Sequence, residues 1–251
     1  MYFRKSQPSI IMLSFFRKIR KQLAADNKPL KYMRYAIGEI LLVVIGILLA
    51  LQINTWNEDR KSSVREMKLL AELRTNLQIN VKNLENDIES QVKSAATIDY
   101  LIEHLANRRP YKDSLKHYFY DADYAPDVVL SASAFETLKS AGLELIKTDS
   151  LRSAIINLFE IDYPTLMQET RRLEDQVWAV TIVPLVQKHF RIENIDQYVV
   201  NDYMALLDDK EFTNMLSFRG SLRKISTVQK MKAVEQTQEV LSLIDKELEN
   251  E

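Results

Sequence analysis

Few residues in this chain are placed to do chemistry. His117, Asp121, Asp123 and Asp127 fall in one short stretch and would be candidate cation ligands. The stretch lacks the central glycine and closing glutamate of a calcium loop, so a surface turn is the simpler reading. His104 and His189 have no second ligand nearby in sequence and read as packed or exposed histidines. Glu66, Glu72, Glu85 and Glu89 lie in a helical pattern and read as its solvated face. The chain has 0 cysteines, which excludes disulfides, thiolate metal sites and cysteine nucleophiles. No glycine-rich phosphate loop, G-x-S-x-G elbow or H-E-x-x-H helix occurs. No catalytic, cofactor-binding or metal-ligating residue is therefore assigned, no cofactor is expected, and the chain reads as a non-enzyme. The alternative is a membrane-tethered enzyme with an unrecognised active site.

The elements that would position any site are helices. The 251 residues hold only 4 Gly and 6 Pro, and no glycine lies between Gly46 and Gly142. A strand-and-turn architecture would need more turn residues. Hydrophobic residues make up 46%, enough to bury a core.

One stretch is apolar enough to leave water. Ile40–Leu51 is uninterrupted, with ten Leu, Ile and Val residues worth about −3 to −6 kcal/mol for insertion into a bilayer. Flanking residues extend the run to Tyr35 and Trp56, a span of about 32 Å, against a bilayer core of ~30 Å. Tyr35 and Trp56 sit where interfacial aromatics belong, with Arg34 beside them as a cationic anchor. Glu39 lies near one end, where a carboxylate costs less than at the bilayer centre. The run begins late and no A-x-A-like cleavage site follows, so it reads as an uncleaved signal anchor. Glu39, Gly46 and Ala50 fall near one line of the helix. Gly46-x-x-x-Ala50 is a small-xxx-small pair, suited to pairing with a second copy or another membrane protein.

Residues 1–34 hold nine basic residues against Asp26 alone, in a chain whose net charge is −1. A basic tail before an apolar run and an acidic body is a membrane-anchoring pattern, not a nucleic-acid-binding one. Met12, Phe16, Ile19 and Leu23 share one helical face, with Arg17, Lys18 and Lys21 opposite, which suits an anionic cytoplasmic leaflet. Five basic residues precede the span closely and four follow it. Together these place the N-terminus in the cytoplasm and the C-terminal part in the periplasm of a bacterium, with a single pass through the inner (plasma) membrane.

Phe15-Phe-Arg-Lys-Ile-Arg-Lys21, Tyr35-Ala-Ile-Gly-Glu-Ile40, Val43–Asn54 and Trp56-Asn-Glu58 resemble the opening of an uncharacterised family of Gram-negative bacterial single-span membrane proteins, assigned to a domain of unknown function. The resemblance covers about residues 13–60, with a weaker echo at Ser133–Gly142 and Leu145–Lys147. It implies anchoring and no activity. The family-like opening starts at Met12, which is expected to be the initiator.

After the span, apolar residues recur every three or four positions: Met67, Leu70, Leu73, Leu77, Val81, Leu84, Ile88, Val92, Ala95, Ile98, Ile102 and Leu105. They predict a helix from Asn57 to about Asn107, ended by Arg108-Arg-Pro110. A short segment, Ser114–Tyr120, precedes a loop at Asp121–Asp127. Ser133-Ala-Phe-Glu136 reads as a capping box and Gly142 as a C-cap. The capped stretch is a helical corner or, on a functional reading, a ligand or partner surface. Thr148 or Asp149 would cap a helix over Ser150–Tyr163. Pro164 would sit in the first turn of the next, Thr165–Phe190, which Pro184 would bend. Short helices follow near Ile195–Leu207 and Lys210–Phe218. Gly220 then precedes a last helix, Ser221–Glu249, with Leu222, Ile225, Val228, Met231, Leu241, Ile244 and Leu248 inward.

The expected fold is all-α: a single transmembrane helix continuing into an elongated extramembrane helical bundle. Its parts are a basic amphipathic cytoplasmic tail (1–34), a membrane span (35–56) and a helical extracytoplasmic domain (57–251). The bundle reads as an interaction, scaffold or signal-input module, with the lipid bilayer as one partner.

Overall fold

The computed structural model describes residues 29–124 and 128–249, with side chains from Ala36 onward (and at Met33) except at 170, 171, 173 and 174. The start site at Met12, the amphipathic tail, the side chains of Arg34 and Tyr35, and Asp127 lie outside the described residues. Among the described residues the fold is helical, with one small hairpin. The chain divides into two compact units, one ending at Ser62 and one covering Ser63–Glu251.

Helix α1 runs Pro29–Ala106 without interruption. Its apolar stretch reaches a mean hydropathy of 2.5, with none of that window buried. That makes it a candidate membrane span. Met33, Ile37, Ile40, Leu41 and Leu42 stand exposed, as does Trp56.

In the second unit α1 buries one face. The line Glu66, Leu70, Leu73, Leu77, Asn80, Leu84, Asp87, Gln91, Ser94, Ile98, Leu101 and Leu105 alternates steps of four and three. This is heptad spacing, which keeps one seam toward a partner helix. The expected line departs from it in the middle. Val92 is exposed, and Val81 and Ile88 are only half-buried, whereas Asn80, Asp87, Gln91 and Ser94 are buried.

The helix ends in a turn where Arg108 takes a φ of 48°. Helix α2, Leu115–Asp123, extends past the expected loop start at Asp121. Helix α3, Ser133–Ala141, does not form the expected capping box. Its N-cap is Ala132, with no side-chain cap, and Ser133 is already helical. Instead Ser131 Oγ accepts from Ser133 N–H, and Asn80 clamps Ser131 through both its amide atoms. Gly142 is the expected C-cap; its φ of 104° suits a residue without Cβ.

From Asp149 to His189 the chain stays helical: α4 (Asp149–Asn157), a π turn (Leu158–Asp162), α5 (Tyr163–Val177), a second π turn (Trp178–Ile182) and α6 (Val183–His189). Thr148 is the N-cap but gives no side-chain cap; its hydroxyl donates to Glu247 instead. Each π turn ends two residues before a proline, Pro164 or Pro184. A proline ring crowds the carbonyl four residues back, and the wider turn relieves that clash without ending the helix. Pro164 lies in the first turn of α5, as expected, with the chain helical on both sides of it.

The expected short helix near Ile195 is instead a β-hairpin: β1, Phe190–Asn194, antiparallel to β2, Gln197–Val200, with a bulge between Ile192 and Asn194. Helix α7, Tyr203–Asp208, is capped by the Asp202 carboxylate. Helix α8 then runs Lys210–Glu249, straight through Gly220. A Cβ on Gly220 would meet Ile98 Cγ2 at 3.1 Å, so glycine here permits close helix approach and is not a break. The buried line on α8 is Phe212, Leu216, Arg219, Arg223, Lys230, Ala233, Thr237, Val240 and Ile244, again at heptad spacing. Ile225, Val228 and Met231, expected inward, are exposed.

α8 lies antiparallel to α1: Arg74 bonds Asp245, Asp87 pairs with Lys230, and Asp99 pairs with Lys224. One apolar core joins Leu70, Leu73 and Leu77 of α1 to Phe135, Ile155, Phe159, Val240 and Ile244. A second joins Ile98 and Leu101 to Phe119, Leu185, Phe190, Phe212 and Leu216. Leu84, Val128, Leu166 and Ala233 form a small patch of their own.

Candidate functional site

Between the two large cores, the α1–α8 seam turns polar. α1 presents Asp87, Gln91 and Ser94, and α8 presents Arg219, Arg223 and Lys230, all buried. Heptad spacing alone points these side chains inward; nothing in their chemistry would.

Asp87 and Lys230 form an ion pair with side chains 7% and 4% exposed. Such a pair is costly to bury, and removing one partner costs more than removing both. Ser94 Oγ donates to the Asp121 carbonyl at 3.1 Å, tying α1 to α2. Toward the second core, Arg219 donates through Nη2 to the Asp123 carbonyl at 2.6 Å, and its Nη1 lies 3.6 Å from Asp123 Oδ1. Tyr198 from β2 donates its hydroxyl to Asp123 Oδ2 at 2.7 Å. Burial, and then this bond to a carboxylate, push the Tyr198 phenol well above its ordinary value. The Arg219 guanidinium also lies over the Trp178 ring, 5.9 Å from its centre, in the second π turn. Beside this cluster is a small, partly open cavity of about 10 Å³ lined by Phe119, Phe190, Phe212, Met215, Asp123 and Arg219. That is room for about one water. The arrangement can lock α2, β2 and α8 together through one carboxylate.

A second, partly buried cluster sits at the α7–α8 junction. Asp209 accepts from Lys188 Nζ at 2.6 Å and pairs with His189 Nε2 at 2.7 Å. Its other oxygen caps α8 through Glu211 and Phe212 N–H. Lys188 foremost, against the opposing effect of burial, and then His189 and those backbone donors hold the Asp209 carboxyl well below the usual carboxylate range.

The sequence-level candidates land in different places. Asp123 is in the buried cluster. His117 pairs loosely with Asp196, 3.8 Å away, and Asp121 contributes its carbonyl to Ser94. Among the described residues, no group of three or more His, Asp or Glu could hold a metal ion. His104 is packed, with Nε2 3.3 Å from the Pro110 carbonyl. His189 is buried, but with Asp209 as partner. Glu66 corrects the solvated-face reading: it is 1% exposed and accepts the Lys147 N–H at 3.0 Å. Glu72, Glu85 and Glu89 are exposed as expected. The Ser133 stretch borders an open groove of about 360 Å³ shared with Glu72, Thr75 and Asn76. Glu39 is half-buried, and a Cβ on Gly46 would meet nothing within 4 Å.

Arg219, Arg223, Lys230 and Asp87 were not singled out from sequence. The signal that would have found them is the strict four–three spacing, which passes through polar residues where the apolar pattern drifts off it.

No curated protein and no solved structure matches this chain. A family model matches residues 39–219, from the apolar stretch of α1 to Arg219 on α8. The match takes in most of α1 and the seam residues up to Arg219, with Arg223 and Lys230 beyond it, and on it the chain belongs to DUF6090, a family of unknown function.

Proposed function

We propose that this protein is a single-span anchor of the bacterial inner membrane whose helical domain is an interaction or signal-input module and not an enzyme. On this reading residues 1–34 are the cytoplasmic tail, 35–56 cross the membrane and 57–251 lie in the periplasm. The observation that carries the reading is the continuity of α1: one uninterrupted helix, Pro29–Ala106, supplies both the exposed apolar stretch and half of the buried polar seam. A helix so built can pass a shift in seam packing along its own axis. Buried charges at a helix seam set register and can make two packings close in energy. A tethered enzyme would need a substrate-sized cleft with convergent polar groups; the cavity beside Asp123 holds about one water, and the groove of about 360 Å³ at Ser133, Thr75 and Asn76 is wide open to solvent. The span itself pairs with a second copy or another membrane protein along Glu39, Gly46 and Ala50.

The test is fractionation and topology of the full chain. It is expected in the membrane pellet after an alkaline wash, and a reporter fused after Glu251 should be active only when exported. Recovery in the soluble fraction overturns the anchor; cytoplasmic reporter activity overturns the orientation. Proximity labelling from the C-terminus should enrich a defined neighbour over a soluble control, and no enrichment would overturn the module reading.

A further inference from the structure

β1 has one partner. β2 bonds one of its edges, and β2 in turn packs against α2. Along the other edge, Arg191, Ile192, Glu193 and Asn194 are all exposed. A two-stranded hairpin with such an edge is an incomplete sheet.

The hydrogen-bond parity of that edge follows from the register. Asn201 N–H donates to the His189 carbonyl at 2.8 Å, which makes 189 and 201 a bonded pair. The next bonded pair is Arg191 with Val199. Ile192, one residue on, therefore turns its own N–H and C=O outward, and its side chain is 61% exposed.

The charges flanking Ile192 are opposite, Arg191 before and Glu193 after. Within one copy they pair with each other at 2.5 Å, on the same face. Antiparallel pairing of this edge with itself puts Ile192 opposite Ile192, Arg191 opposite Glu193 and Glu193 opposite Arg191. Charged side chains and bulges commonly guard an edge; here the bulge lies just past Ile192, between it and Asn194, and the two charges beside Ile192 are of opposite sign, so they attract a second copy. This edge is complementary to its own copy in charge, in hydrogen-bond parity and in symmetry.

We propose that β1 pairs edge to edge with β1 of a second copy, antiparallel, on a two-fold axis at Ile192, giving a four-stranded sheet across the dimer. The inference does not rest on the membrane reading, because the edge is self-complementary wherever the domain lies.

The test uses the full chain as expressed in cells, in whichever fraction it is found. The chain has 0 cysteines, so one introduced cysteine reports alone. A bonded antiparallel pair places its Cα atoms about 5.5 Å apart, within disulfide reach. Ile192→Cys should form a crosslinked dimer under mild oxidation, while Val199→Cys, on the strand beyond, should not. In the Ile192→Cys background, Arg191→Glu makes the edge all acidic and Glu193→Arg makes it all basic. Each alone should lower the dimer about tenfold, because two cross-strand pairs turn from attraction to repulsion. Mixing the two variants, or combining both changes in one chain, should restore it. Equal crosslinking of Ile192→Cys and Val199→Cys overturns the proposal, as does crosslinking that ignores the charge changes.

Discussion

Asp87 and Lys230 show at single-residue scale what burial does to a charge. Each is hidden from water and each neutralises the other. Asp87→Asn leaves the lysine charge buried and should cost about 3–5 kcal/mol. Replacing both, as Asp87→Leu with Lys230→Met, should be near neutral or stabilising. Urea unfolding of the detergent-solubilised chain reads the difference; equal losses for the single and double changes would refute it. Asp209 makes a different prediction, in pH. Its folded pKa is depressed, so its contribution is full above the unfolded value of about 3.9 and fades as pH falls through the folded value. Melting temperature should therefore drop on acidification below about pH 4, and Asp209→Asn should flatten that part of the acid limb. An unchanged acid limb would mean that Lys188 and His189 do not stabilise the ionised form.

At the scale of elements, the crossing of α1 and α8 depends on Gly220. A Cβ there would meet Ile98, which is fully buried in the second core and would have to shift by a few tenths of an ångström. Gly220→Val should cost about 1–3 kcal/mol by overpacking, and clearly less in an Ile98→Ala background. Strict additivity of the two changes would show that the helices do not meet there. On the apolar part of α1, Gly46→Leu with Ala50→Leu should weaken association of a 31–60 segment in a two-helix assay, whereas Leu42→Ile with Leu49→Ile should not. If both pairs behave alike, the Gly46 line is not an interface.

For the whole molecule, membrane retention is a sum over one short stretch. The apolar run favours insertion by about 3–6 kcal/mol, and an arginine at mid-helix costs ~2.5–3.5. Val44→Arg with Ile47→Arg should therefore release the chain to an alkaline wash, while the same pair of changes at Val92 and Val228, exposed in the second unit, should not. Retention of the doubly charged variant would mean that the polypeptide is held by something other than this stretch.

Hydrophobic periodicity and composition were enough to establish an all-α chain, the apolar stretch within α1, the end of that helix near Arg108 and the C-cap at Gly142. These are local properties: a run of Leu, Ile and Val, a scarcity of glycine, a residue that tolerates positive φ. Other features depended on partners distant in sequence. Apolar residues suggested Val81, Ile88, Val92, Ile225, Val228 and Met231 as the inner line. The packed seam instead buries Asn80, Asp87, Gln91, Arg223 and Lys230; Asp87 and Lys230 supply each other's counter-charge across it, and Asn80 finds its partners in the Ser131 backbone. Glu66 left the solvated face because Lys147, far along the chain, offers it a backbone N–H. The 190–200 segment became a hairpin because Phe190 and Tyr198 fill the second core as strand neighbours. Pro164 and Pro184 each follow a π turn, and the chain stays helical through both, because the wider turn relieves the clash of the ring with the preceding turn. Local sequence set what each segment could be; only tertiary contact decided which polar groups were worth burying, since that balance depends on a partner the local pattern does not contain.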